Sequence, residues 1–213
     1  MLGMSSGGKF ITFEGGEGAG KSTQVGLLAA RLEAHGRRAL KLREPGGTAL
    51  GEQLRDVLKS RTTLGLEVSA EALLFAACRA QLVGEVIRPQ LAQGTFVLCD
   101  RFIDSTVAYQ SGGRGLDRAL IAAANRLACG TVYPDLTVLL DLDPSHGLSR
   151  ASVRDHGQHD RFEVLGEGFH RQVRTVYHEL AAAEPQRFLV LDATRDPQTL
   201  SEEIWHEVSR RFL

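Results

Sequence analysis

The chain has 213 residues, 43% of them apolar and 24% charged, with a formal net charge of −1. That balance fits one globular domain over 1–213 and excludes a disordered or low-complexity chain. It also excludes the broad cationic face that recruits nucleic acid, while leaving room for a local site for a small anion.

The first nine residues, "MLGMSSGGK", lack the apolar stretch of a secretory signal, and no run of about 18 apolar residues is present to cross a membrane. A cytoplasmic location is the expectation. "KFITF" at 9–13 reads as a buried strand, followed by a glycine-rich turn. Val25, Leu28 and Leu32 then stand at helical spacing until Gly36. "RALKL" at 38–42 is a second strand, and Leu50, Leu54, Val57 and Leu58 share one helical face. A long helix is expected from Glu71 to Leu91, bent near Pro89. Strands follow at "TFVLC" 95–99, "LTVLL" 136–140 and "RFLVL" 187–191, and Leu200, Ile204, Val208 and Phe212 mark a last helix. Strands alternating with helices imply right-handed crossovers. The expected fold is α/β, a five-stranded parallel sheet flanked by helices.

The segment "SRASVRDHGQHDRFE" at 149–163 is too polar for a core and reads as either a solvated connection or a mobile cationic lid. His156 and His159 within it could face one metal, but no cysteine cluster supports them and the solvated reading is preferred. Cys78, Cys99 and Cys129 are widely spaced, odd in number and without a C-x-x-C pair. They read as buried thiols in a reducing compartment.

Chemistry is concentrated in "FEGGEGAGKST", which carries G-x-x-x-x-G-K-S at Gly15, Gly20, Lys21 and Ser22. Glycines permit a backbone whose N–H groups converge on an anion, and the helix that follows adds its positive end. Lys21 supplies a compact charge for β- and γ-phosphates, and the Ser22 hydroxyl suits Mg²⁺. A dinucleotide fingerprint is excluded, because its third glycine would fall on Lys21. The strand before and helix after complete the context of a P-loop NTPase.

Two P-loop classes fail on their own residues. A guanine-reading N-K-x-D cannot exist, since the single asparagine, Asn125, precedes Arg126. "QSGGRG" at 110–115 and "LTVLLDLDP" at 136–144 resemble parts of a transporter ATPase, but Leu142 stands where that class needs a glutamate after Asp141.

Phosphoryl transfer to a small acceptor remains. "REPGGT" (43–48), "LLFAACRAQ" (73–81), "DRFIDSTVAYQSGGRG" (100–115), "YPDLTVLLD" (133–141) and "DRFE" (160–163), with the opening loop, resemble thymidylate kinase over nearly the whole chain. The resemblance implies transfer of a phosphoryl group from ATP to dTMP with Mg²⁺, by a protein that is usually a homodimer. It assigns ATP to Gly15, Gly16, Glu17, Gly18, Ala19, Gly20, Lys21, Ser22 and Thr23. It assigns dTMP to Glu17, Arg55, Phe75, Arg79, Arg101, Thr106, Tyr109 and Gln110, and the metal to Ser22, Asp100 and Glu17. Arg101 follows a strand's carboxyl end, where ligands sit in open α/β sheets, and by resemblance it grips the acceptor phosphate. Phe75 and Arg79, four apart on one helix, suit a flat base with exocyclic oxygens. Glu44–Pro45 matches a turn of the family, and adenine is expected near Ala193, Thr194 and Arg195.

Transfer spreads charge over three oxygens and needs cations beyond one lysine and a metal. Gly16, Glu17, Gly18 and Ala19 provide none inside the loop. The expectation is a bacterial-type enzyme whose basic lid supplies Arg150, Arg154 and Arg161, with Arg154 swinging over the phosphates. Lys21, Arg101, Arg150 and Arg154 are therefore the expected catalytic set.

Overall fold

The computed structural model describes residues 7–60, 65–154, 161, 162 and 164–213, with the Arg154 side chain outside the described ones. Five strands, β1 Phe10–Glu14, β2 Ala39–Arg43, β3 Phe96–Asp100, β4 Leu136–Asp141 and β5 Phe188–Asp192, form one sheet in the order β2-β3-β1-β4-β5. All pairings are parallel, as the alternation of strands and helices predicts. Each strand runs one residue further than its apolar run, to Glu14, Arg43, Asp100, Asp141 or Asp192. The backbone keeps pairing after the apolar side chains stop, so every strand delivers a charged residue to the carboxyl edge of the sheet.

The sheet is covered on both faces, which is why β1 is buried along its whole length. On one face Ile11, Phe13 and Leu98 pack against Val25, Leu28 and Leu32 of α1 (Lys21–Ala34) and Leu200, Ile204 and Val208 of α9 (Pro197–Phe212). On the other face Phe10, Val97 and Cys99 meet Leu82, Val83 and Ile87. The alternation Phe10 against Ile11 is the two-residue period of a strand. Cys78, Cys99 and Cys129 are buried free thiols.

The expected long helix is three joined pieces, α3 Val68–Leu82, a π-helical turn Val83–Ile87 and α4 Arg88–Ala92. The irregularity precedes Pro89 rather than sitting on it. Pro89 has no N–H, and its ring would press on the carbonyl four residues back in a regular turn. The chain widens instead, and Arg88 N–H bonds to Val83 O, five residues back. A second π-helical turn, Val107–Gly113, continues α5 (Ile103–Thr106). The remaining helices are α2 Ala49–Lys59, α6 Arg118–Cys129, α7 Pro144–Arg154 and α8 Glu167–Ala183.

Candidate active site

Register places the site. Phe13 lies opposite Asp100 and Glu14 opposite Leu139, so the turn after β1 and the residues after β3 emerge side by side. Arg101 N–H bonds to Phe13 O at 2.9 Å. A cavity of about 850 Å³ opens there, lined by the glycine loop, Arg101, Phe75, Arg79, Thr106, Tyr109 and Gln110 among others.

At one end is the loop. Gly18 has φ 64°, and a Cβ there would lie 2.2 Å from Gly147 O of α7; a Cβ on Gly147 would lie 2.3 Å from Glu17 O. Helix α7 and the loop thus touch backbone to backbone. Buried Lys21 donates from Nζ to Gly15 O at 3.1 Å and Gly16 O at 2.7 Å. Burial, with Arg101 nearby, lowers its pKa to about 8, against the pull of Asp100 and Glu17. Ser22 Oγ donates to Asp100 Oδ2 at 2.5 Å.

In the middle stands Arg101, a non-glycine residue with φ 69°. Such backbone persists only where its surroundings over-determine it. Its guanidinium donates to Glu17 Oε1 at 2.7 Å and to Ser105 Oγ at 3.3 Å, and lies 4.9 Å from the centre of the Tyr109 ring. Tyr109 OH donates to the same Glu17 oxygen at 2.9 Å. Burial would raise the Glu17 pKa, but Arg101, Lys21 and the Tyr109 hydroxyl outweigh it and hold it at about 2. Beneath them, buried Glu14 accepts from Phe102 N–H at 2.8 Å, from Tyr177 OH at 3.0 Å and from Ser105 Oγ. Burial and the neighbouring Asp104 still push its carboxyl up to about 7.

At the far end Phe75 faces Phe162 at 5.9 Å between ring centres, and both line the cavity. Arg79 is 1% exposed and already engaged. It donates to Glu44 Oε2 at 2.9 and 2.5 Å, to Asn125 Oδ1 at 2.7 Å and to Thr106 Oγ1 at 2.9 Å. Glu44 precedes Pro45 through a cis peptide bond, and its Oε1 is buried without a partner. Gln110 is 1% exposed.

Arg55 and Arg150 line the cavity; Arg55 Nη1 donates to Pro45 O at 2.7 Å and Arg150 Nη1 to Ala193 O at 3.1 Å. Arg154 ends α7, its side chain outside the described residues, as are His156 and His159. Arg161, the third expected lid cation, pairs through its guanidinium with Glu71 and is not among the residues that line the cavity. Asp192 Oδ1 caps the turn after β5, accepting from Thr194 N–H at 2.9 Å and Thr194 Oγ1 at 2.7 Å, and Arg195 pairs with Glu203. Sequence reasoning gave no site role to Glu14, Arg43, Lys59, Ser105 or Phe162, although all but Lys59 lie within the stretches that carry the family resemblance.

The chain also has known counterparts. A thymidylate kinase family profile matches residues 13–204. The chain is similar to a thymidylate kinase of Solidesulfovibrio magneticus, 52% identical over 94% of this chain and 99% of that protein. A thymidylate kinase of Deinococcus radiodurans is 53% identical over 96% of this chain and 98% of its own. The crystal structure of a thymidylate kinase from Ehrlichia chaffeensis superposes with a TM-score of 0.78 at 35% identity, covering 95% and 99% of the two chains.

Proposed function

The chain belongs to the thymidylate kinase family, and from that membership we infer that it transfers the γ-phosphoryl group of ATP to dTMP, giving dTDP and ADP. One observation carries the residue-level reading: a single cavity is lined by the Lys21 loop, by Arg101 and by Phe75, Arg79, Thr106, Tyr109 and Gln110. Two anions must be held together there, and transfer asks the protein mainly for alignment and fixed charge.

We propose that residues 15–23 cradle the ATP phosphates and that Lys21 leaves Gly15 O and Gly16 O for the transferring group. Arg101 takes the dTMP phosphate, and Arg55 supports it. Glu17 holds both Arg101 and Tyr109, so the phosphate grip and the wall of the deoxyribose are set by one carboxylate. Phe75 stacks on thymine, with Arg79, Thr106 and Gln110 at its edge. Arg150, beside the loop on α7, belongs to a basic lid at about 149–163 in this one P-loop domain, and Arg154 is the further lid cation. Adenine lies by the Ala193 turn.

Among the described residues no cluster of three or more His, Cys, Asp and Glu is gathered as a metal site. Two hard oxygens, Ser22 Oγ and Asp100 Oδ2, do meet at the loop. That sparse set suits Mg²⁺, which keeps waters and takes its other ligands from phosphate. When bound, Mg²⁺ neutralises phosphate charge. Glu17 is already engaged by Arg101 and Tyr109, which favours a positioning role over direct ligation.

Among the described residues no helix is long and apolar enough to cross a membrane, and a cytoplasmic homodimer is the proposed form. Leu73 of α3 and Leu120 and Leu127 of α6 are 64%, 66% and 88% exposed, an apolar surface that suits helix packing between copies. A coupled ADP-release assay across dTMP, dUMP, dCMP, AMP and GMP tests the activity. Turnover is expected with dTMP foremost; a purine monophosphate as best acceptor would overturn the site reading.

A further inference from the structure

Glu71 lies in the first turn of α3, wholly buried, and its carboxylate is met by side chains from two other segments, 110–114 and Arg161. Oε1 accepts from Gln110 Nε2 at 3.0 Å and from Arg114 Nε at 3.1 Å. Oε2 accepts from Arg114 Nη2 at 3.0 Å and from Arg161 Nη2. Gln110 sits on the Val107–Gly113 turn and lines the cavity.

The chemistry of this contact decides which way the Gln110 amide faces. A carboxylate engaged by two guanidinium groups offers only acceptors, so it takes the NH₂ end of the amide. The opposite orientation would press the amide carbonyl against carboxylate oxygens in a site closed to water. The carbonyl Oε1 is therefore left for the cavity. An acceptor fixed there suits a pyrimidine whose N3 carries a hydrogen. It opposes a pyrimidine whose N3 carries a lone pair, since two acceptors would then meet.

We propose that Glu71 is a specificity-positioning residue, locking the Gln110 amide so that the site selects acceptor nucleotides bearing N3–H and rejects cytosine. The proposal rests on the reading of the cavity as the dTMP site. Glu71 touches no substrate and acts through Gln110, which separates it from a mere clamp on Arg114 and Arg161.

The test is the ratio of kcat/KM for dTMP over dCMP in wild type, Glu71→Gln, Gln110→Met and the double variant. A glutamine at 71 can present either end of its own amide to Gln110, so the lock is lost. The dTMP:dCMP ratio is expected to fall by about tenfold or more, chiefly through the KM for dTMP. The dTMP:dUMP ratio should stay within about twofold, because both bases carry N3–H. In the Gln110→Met background, with no amide to orient, Glu71→Gln should leave the ratio alone. A clamp would weaken every substrate alike. An unchanged dTMP:dCMP ratio in Glu71→Gln, or the same fall with and without Gln110, overturns the proposal. A wild type that turns over AMP or GMP but not dTMP overturns the cavity reading first and the proposal with it. Because Glu71 also anchors two arginines, a second measurement uses the unaltered enzyme. The side-chain ¹⁵N–¹H signals of Gln110, assigned by their loss in Gln110→Met, should be exchange-protected with and without dTMP. Fast exchange with solvent in both states would overturn the lock.

Discussion

Lys21 shows how much of the site's behaviour follows from one buried group. Water is largely excluded from its ammonium, and the positive Arg101 is close, so its pKa is lowered to about 8. The charged form exists below that value and is lost above it. In the free enzyme, kcat/KM for ATP should therefore fall as pH rises through about 8. Lys21→Arg, which stays charged, should have a lower plateau but no such fall. A flat profile to pH 9.5 in wild type would remove Lys21 from the phosphate end. Lys21→Ala should lower kcat by about 100-fold or more with an unaltered melting curve. Phe75 tests the other end. It is half-buried and borders the aromatic group of Tyr109, Phe162 and Phe169. Phe75→Ala should weaken dTMP binding by about 1–3 kcal/mol and leave ATP binding nearly unchanged, read by calorimetry. Equal losses for both nucleotides would make it a core residue. The sequence spacing made Phe75 and Arg79 neighbours, but it gave no sign that Arg79 is also the buried partner of Glu44, some 35 positions away.

Between elements, α7 meets the phosphate loop backbone to backbone. Gly147→Ala would place a methyl 2.3 Å from Glu17 O, where backbone has no rotamer with which to yield. The two must part, at about 1–3 kcal/mol in stability. The KM for ATP is expected to rise several-fold, more than that for dTMP, with a melting temperature a few degrees lower. Wild-type values for both would show that the contact does not hold the loop. The π-helical turns were not legible in advance, because hydrophobic periodicity distinguishes helix from strand but not five-residue from four-residue hydrogen bonding. Gly112 and Gly113 fit the second of these turns to its neighbour. Cβ atoms there would lie 2.6 Å from Val176 Cγ2 and 2.3 Å from Phe169 Cε2, so the turn can seat against α8 only without side chains.

For the molecule as a whole, the stability profile should carry the signature of Glu14 beneath the site. Its carboxyl titrates near 7 in the fold but at about 4.5 when unfolded. Below both values the proton is bound in each state and the fold keeps the full benefit. Between them only the unfolded chain releases it, so stability falls as pH rises through 7, by on the order of 3 kcal/mol. Glu14→Gln cannot ionise, so its stability relative to wild type should improve from pH 5 to pH 7 in urea unfolding. Parallel profiles would show that Glu14 is charged throughout. By itself the order of residues determined the parallel five-stranded sheet, the phosphate loop and the family resemblance, because each rests on local signals: apolar period, glycine spacing and strand-to-helix context. Only the tertiary structure decided that Glu17 binds Arg101 and Tyr109, that Arg161 pairs with Glu71 rather than lining the cavity, and that Gln110 is held by Glu71. Those partners lie roughly 40 to 90 positions apart, and their choice depends on which charged groups share a buried space, where an unmatched charge or polar group is costly.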